Sequence, residues 1–365
     1  MSKVRILVVD DAVVFRRLLT EVLSSDPALE VVGTAANGRI ALARIPQVAP
    51  DVVILDVEMP EMDGLTTLAE IRKTYPRLPV IMFSALTERG ARATLDALAL
   101  GATDYFTKPA SPAGVEGSLT VVREQLIPEI KALCAAVAAP SASNPPSAMA
   151  RLSAVVADPS GNGSMPAATA TIQLLAIGTS TGGPNALAKV LGRLPADFPV
   201  PILIVQHMPP MFTRLLAERL TAEFAIPVEE GATGTILQPG RALIAPGDHH
   251  MIVVKHGSRV RAELHQDPPE NSCRPAVDVL LRSVAKAYGP NSLTVILTGM
   301  GQDGLRGCEA IRAAGGQVIV QDEATSIVWG MPGAVARAGL AERVLPLDGI
   351  AAEIQLRIAG KVAKP

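Results

Sequence analysis

VRILVVDD, at Val4–Asp11, is an unbroken apolar run that ends in two acids. A strand buried on both faces reads this way, because neither face meets water. Outward from it the pattern repeats. A helical period follows at about 12–25, and further apolar strands stand at Val31–Thr34, Val52–Leu55 and Val80–Phe83, with a short one at Asp104–Phe106. Helical stretches near Arg39–Ile45, Leu65–Thr74 and Glu88–Leu98 lie between them. Strand alternating with helix implies a parallel, doubly wound α/β sheet. The last helix, over Leu119–Val137, is interrupted by Pro128, which cannot donate to a helical ladder.

The second half alternates on a larger scale. Strands are expected at Gln173–Ile177, Pro201–Val205, Arg241–Ala245, Leu293–Leu297 and Gln317–Val320. Helices are expected at Pro184–Leu194, Phe212–Phe224, Ala276–Ala287 and Gly304–Ala314. Met251–His256 and Val260–His265 flank Gly257-Ser258, a hairpin signal. This half therefore reads as a larger, mainly parallel α/β domain with an antiparallel hairpin. Between the halves, 139–171 is rich in Pro, Ala and Ser and shows no period, the pattern of a flexible linker. The expected division is 1–138, 139–171 and 172–365.

Composition narrows the function. A net charge of −2 over 365 residues argues against binding driven by neutralising nucleic-acid phosphates. No apolar stretch reaches the ~20 residues of a spanning helix. The three cysteines, Cys134, Cys273 and Cys308, are far apart, which fits a reducing cytosol and excludes a disulfide scaffold.

In the first half, Asp10 and Asp11 close the first strand, Asp56 the third and Ser84 the fourth, and Lys108 lies just past the fifth. Ligands of open α/β sheets bind beyond the carboxyl ends of strands. Clustered carboxylates need a counter-ion, and hard oxygen ligands suit Mg²⁺. A carboxylate beside that ion can accept a phosphoryl group, with Lys108 and Ser84 stabilising its oxygens. Taken singly, such acids also cap helices or face water.

VVDD at Val8–Asp11, LDVEMPEMDG at Leu55–Gly64, SA at Ser84–Ala85 and TKP at Thr107–Pro109 together resemble the receiver domain of bacterial two-component response regulators. The resemblance implies a flavodoxin-like five-stranded parallel sheet. It implies Asp56 as phospho-acceptor, and Asp10, Asp11, Asp56 and the Glu58 carbonyl as magnesium ligands. Ser84 and Lys108 would contact the phosphate, and Tyr105 would be the aromatic switch. A packed edge-strand aromatic is the other reading of Tyr105.

In the second half a strand runs into GTSTGGPN at Gly178–Asn185. Gly178–Gly182 satisfies GxSxG, a pattern that exposes a serine hydroxyl on a tight turn. The same glycines also suit an ordinary turn or a phosphate cradle at a helix N-terminus. His207 follows the second strand in VQHMPP, and Asp303 follows a later one in TGMGQDG. Serine, histidine and acid beyond three strand ends form the set that ester hydrolysis needs. The order Ser…His…Asp differs from the α/β-hydrolase order. Adjacent His249 and His250 read as a turn entering the hairpin, not as metal ligands. Met300 and Met331 read as lining or core, and Trp329 as packing.

IGTSTGGPNAL, VQHMPP, IAPGDHHM, CRPAVDVLL, LTGMGQDG and VWGMPGAV resemble the catalytic domain of the chemotaxis protein-glutamate methylesterases, a family that also carries a receiver in front. The resemblance implies Ser180 as nucleophile, His207 as base and Asp303 as its orienting acid. Thr181 would help to hold the histidine, and the Met300 N–H would contribute to the oxyanion hole. Ala276 departs from the family pattern, which has serine there. The implied activity is hydrolysis of glutamyl methyl esters on chemoreceptors, with deamidation of receptor glutamines, switched by a histidine kinase in the cytoplasm. The rival reading is a response regulator whose second half binds a ligand or protein without catalysis.

Overall fold

Buried parallel strands frame both halves of the computed structural model, which describes residues 3–109, 119–120, 122–138, 171–257 and 259–360. In the first half, β1 (Val4–Val9), β2 (Leu29–Ala35), β3 (Val52–Asp56), β4 (Val80–Ser84) and β5 (Asp104–Thr107) form one parallel sheet in the order β2-β1-β3-β4-β5. Every residue of β3 and β4 is buried, which is why both read as continuous apolar runs. Helices α1 (Val13–Ser24), α2 (Gly38–Val48), α3 (Gly64–Thr74), α4 (Glu88–Ala99) and α5 (Ile127–Ala138) connect or follow the strands. Asn37, Asp63 and Thr87 cap α2, α3 and α4 through bonds from the Ile40, Thr66 and Gly90 N–H groups. The interruption expected at Pro128 takes the form of a π-helical turn, Val122–Leu126, leading into α5. A wider turn absorbs the hydrogen bond that proline cannot donate.

In the second half, seven parallel strands run in the order β14-β13-β12-β6-β7-β9-β8. They are β6 (Leu174–Thr179), β7 (Ile202–Gln206), β8 (Val228–Glu230), β9 (Ala242–Ile244), β12 (Ser292–Ile296), β13 (Gln317–Gln321) and β14 (Arg343–Leu345). The antiparallel hairpin is β10 (His250–His256) with β11 (Arg259–His265). The helices are α6 (Gly183–Leu191), α7 (Pro210–Glu223), α8 (Val277–Tyr288), α9 (Leu305–Ala313), α10 (Met331–Arg337) and α11 (Leu347–Ile358). The edge strands β8 and β14 and the helices α10 and α11 have no counterpart in the sequence reading. Of the segment expected to be a linker, 139–170 lies outside the described residues. Among the described residues no helix is long and apolar enough to cross a membrane.

The halves pack on each other. The Tyr105 ring stacks on Phe212, centroids 4.7 Å apart. Asn185 donates to the Leu98 carbonyl at 2.9 Å, and Arg219 to that of Leu95. Arg92 meets Glu218 at 3.3 Å, so α4 and α7 face each other. Val328, from the loop before α10, packs into the apolar cluster of the first half beside α5.

Candidate functional site

The carboxyl ends of β1, β3, β4 and β5 gather the first candidate set. Ligand atoms of Asp10, Asp11 and Asp56 lie within 4.8 Å of one another. Lys108 Nζ stands 2.8 Å from Asp10 Oδ2 and 2.8 Å from Asp56 Oδ2. Its backbone N–H bonds to the Ser84 carbonyl at 2.7 Å, and its ammonium lies over the Phe15 and Phe83 rings. Burial, with the charge of Asp10, pushes Asp56 up to about 6 despite Lys108. Burial raises Asp10 as well. Burial works against the charge on Lys108, but its bonds to both acids outweigh this and raise it. One ammonium thus serves two buried carboxylates, and among the described residues Asp10 Oδ2 has no well-directed hydrogen bond. The set fits a divalent cation, whose charge would relieve that shortage. Glu58 donates its N–H to Asp56 Oδ1 at 3.4 Å, while its side chain pairs with Arg89. Ser84 is buried and bonds to the Ala85 carbonyl. Tyr105 lies apart from this cluster, against Phe212, as a packed edge-strand ring.

The second set lies at the carboxyl ends of β6, β7 and β12. Ser180 stands between β6 and α6, in a turn fixed from several sides. Its N–H bonds to the Thr298 carbonyl at 3.0 Å, and its carbonyl accepts from Gln206 Nε2 at 2.9 Å and Gly183 N at 2.7 Å. Gly182 has φ +73°, and a Cβ there would meet Ile327 at 2.6 Å, so only glycine closes the turn without strain. The Ser180 hydroxyl has no hydrogen-bond partner among the described residues. Gly299 brings backbone to within van der Waals reach of Ser180, and neighbouring Met300 is exposed. The Met300 N–H is also free among the described residues.

His207 Nε2 lies 2.8 Å from Asp303 Oδ2. Asp303 is buried and also accepts from the N–H groups of Val277, Asp278 and Gly304 and from Asn271 Nδ2. Burial pushes its carboxyl up, but His207 and these N–H donors outweigh it and hold Asp303 below the usual range. The first turn of α8 thereby caps itself with a distant carboxylate. Ala276, at the N-cap position, offers no side-chain cap, and its own N–H goes to His250 Nδ1. This accounts for a tolerable alanine at that position.

His207 Nδ1 faces Cys273 Sγ at 3.4 Å. Burial opposes charge on His207, but the hydrogen bonds and charges of Asp303 and Cys273 raise its pKa to about 10. Neither Ser180 nor Thr181 is hydrogen-bonded to His207 among the described residues. The Thr181 side chain instead interacts with Asp104 of the first half, as does the Gly182 N–H. Asp104 and Glu129 form a fully buried acid pair behind this turn. Burial pushes Asp104 up to about 7 and Glu129 well above the carboxylate range.

Sequence reasoning missed Asn271, Cys273 and Asp104. Asn271 and Ser272 have φ of 52° and 62°, a loop conformation with no periodic signature. The hairpin histidines are structural: His250 Nε2 lies 3.2 Å from the Pro268 carbonyl and its ring packs against His265. Met331 is core. Trp329 is half-buried, donates to the Gln321 carbonyl at 2.9 Å and lies beneath Arg337.

A profile of the CheB methylesterase family matches residues 175–354, and one of the response regulator receiver domain matches residues 6–119. A protein-glutamate methylesterase/protein-glutamine glutaminase of Trichodesmium erythraeum is 54% identical over 98% of this chain and 100% of its own. One from Nocardioides is 51% identical over 98% of this chain and 96% of its own. The crystal structure of the Thermotoga maritima CheB methylesterase catalytic domain superposes with a TM-score of 0.50 at 41% identity, covering 50% of this chain and 97% of that one. A receiver sheet ending in an acid cluster, followed by a sheet that brings Ser180, His207 and Asp303 to one edge, carries those matches across nearly the full length, and the chain belongs to the CheB methylesterase family.

Proposed function

We propose that the chain hydrolyses glutamyl methyl esters on chemoreceptors under control of phosphorylation at Asp56, and deamidates receptor glutamines by the same chemistry. The observation that carries this reading is the His207–Asp303 bond, made by a histidine whose own N–H bonds to the Thr179 carbonyl next to Ser180. Nε2 is committed to Asp303, so Nδ1 is the nitrogen left to take the Ser180 proton. Ser180 Oγ then attacks the ester carbonyl, and His207 returns the proton to the departing methoxide, releasing methanol. Water, activated in the same way, frees the glutamate. With a glutamine side chain the leaving group is ammonia. The Met300 N–H, unpaired among the described residues, would stabilise the oxyanion.

In the first half, Asp10, Asp11 and Asp56, with the Glu58 carbonyl, would hold Mg²⁺, which supplies charge neutralisation for phosphoryl transfer from a histidine kinase. Lys108 and Ser84 would stabilise the phosphoryl oxygens. The packing of α4 and Tyr105 against α7 supports a resting state in which the receiver, 1–138, shields the catalytic domain, 172–365, from receptor helices in the cytoplasm. The test is methanol release from methylated receptor, with and without a small phosphodonor. No release under either condition would favour the binding-only reading.

A further inference from the structure

The three thiols differ sharply. Cys134 and Cys308 are buried, and burial pushes Cys134 up to about 12 and Cys308 higher still. Cys273 is only partly buried, and its sulfur meets a triad member. Its place is fixed. Cys273 and Glu270 exchange backbone hydrogen bonds of 2.9 and 3.1 Å, and Arg282 grips the Glu270 carboxylate at 2.7 Å. Asn271, two residues away, ties the same loop to Asp303 and Asp278 at 2.9 Å each. The loop that orients the acid therefore also delivers the thiol to the base.

We propose that Cys273 is a positioning residue for the triad: its sulfur takes the Nδ1 side of the imidazole in the resting site, so that the proton shared between this nitrogen and the sulfur must be lost before Nδ1 can accept the Ser180 hydroxyl proton. With Nε2–H on Asp303, a second ring proton on Nδ1 has Cys273 Sγ as its acceptor. When that proton passes to solvent, the Nδ1 lone pair is free to receive Ser180 Oγ–H.

The charged surroundings agree. Asp303 and Cys273 are the groups that touch the ring. Asp278 lies behind Asp303, Glu270 is neutralised by Arg282, and Arg274 is spent on Asp248. Among the described residues no lysine or arginine pairs with His207. Burial alone would drive the imidazole neutral, and Asp303 and Cys273 together reverse that. The sign follows. Cys273 favours the protonated ring, so its removal lets His207 deprotonate at lower pH.

The inference rests on reading His207 as the base of Ser180, so its primary measurement does not use turnover. The His207 imidazole is titrated by NMR in the full-length chain, as wild type, Cys273→Ala and Cys273→Val. The titration midpoint is expected to fall by about one pH unit in both variants, equivalent to a tenfold change in proton affinity. Valine fills the space of the thiol and offers no acceptor, so a merely structural role would be rescued by it. A valine variant that titrates as wild type does overturns the proposal, and it carries the test alone where the alanine variant fails to fold. The acid limb of methanol release should move down in step with the midpoint. A midpoint that falls while that limb stays fixed upholds the role of Cys273 and sinks the esterase assignment of His207 instead.

Discussion

At the scale of single residues, the proposed mechanism divides its labour between Ser180, whose hydroxyl has no partner among the described residues, and an imidazole gripped by a carboxylate. Ser180→Ala should cut turnover by at least ~10³-fold, since only oxyanion and binding effects would remain. A folded variant that keeps a tenth of wild-type methanol release would remove Ser180 from the mechanism. Asn271 acts one step away, on Asp303 and Asp278. Asn271→Ala should lower kcat about tenfold, the equivalent of one charge-assisted hydrogen bond of ~1.4 kcal/mol. An unchanged kcat would make that bond ornamental. Asp56→Asn should abolish labelling by a small phosphodonor, as should chelation of divalent cations, while basal ester hydrolysis persists because its proposed steps use no metal. Loss of basal hydrolysis in EDTA would overturn that scheme. Asp56, Ser84 and Lys108 were legible in sequence because uninterrupted apolar strands mark where each strand stops. Asn271 and Cys273 were not, because a loop that turns through left-handed residues at 271 and 272 obeys no period and reaches its partners only through the fold.

Elements explain what those residues cannot. The strand-helix alternation of both halves was legible because each central strand is buried on both faces, as in β3 and β4. The three-residue strands β8 and β14 escaped, since a segment that short has no pattern to detect. The antiparallel hairpin was visible from its turn at Gly257. One tight junction yields a prediction. A Cβ on Gly64, at the start of α3, would lie 2.2 Å from the Asp56 carbonyl and 2.9 Å from Val57 Cα. Both contacts are backbone, so nothing flexible can give way. Gly64→Ala should therefore destabilise the receiver by about 1–3 kcal/mol in urea unfolding and slow phosphorylation at Asp56. Wild-type stability together with wild-type labelling would show that α3 shifts freely.

For the whole molecule, the proposed shielding acts through the joint between the halves. Residues 172–365 alone should release methanol faster than the resting full chain, and phosphodonor should speed the full chain only. A folded fragment as slow as the resting chain would rule out shielding. The joint also contains the Asp104–Glu129 pair against Thr181 and Gly182. Its acids sit above their ordinary range because burial disfavours their charge. Docking therefore holds extra protons, and the stability of the joint is greatest at acid pH and falls as pH rises from the ordinary carboxyl range through about 7 for Asp104. Basal hydrolysis by the full chain, relative to the fragment, should rise over that interval. Asp104→Asn should flatten the dependence, and an Asn variant with the wild-type profile would acquit the pair. Asp104 was read only as part of a short strand, and Tyr105 as an aromatic switch or a packed edge-strand ring, since a partner from another domain leaves no trace in local periodicity.

Trp329 is the chain's single tryptophan, and it follows Val328, the residue that packs into the first half's apolar cluster. Its indole hydrogen bond to Gln321 and the Arg337 guanidinium above its ring lie within the second half, so it is through neighbouring Val328 that its surroundings depend on the joint. The protein thus carries an intrinsic optical gauge of its own opening. Phosphodonor should shift the tryptophan emission of the full chain, and the isolated second half should emit at the shifted position from the start, so separation of the domains is readable in real time without a label.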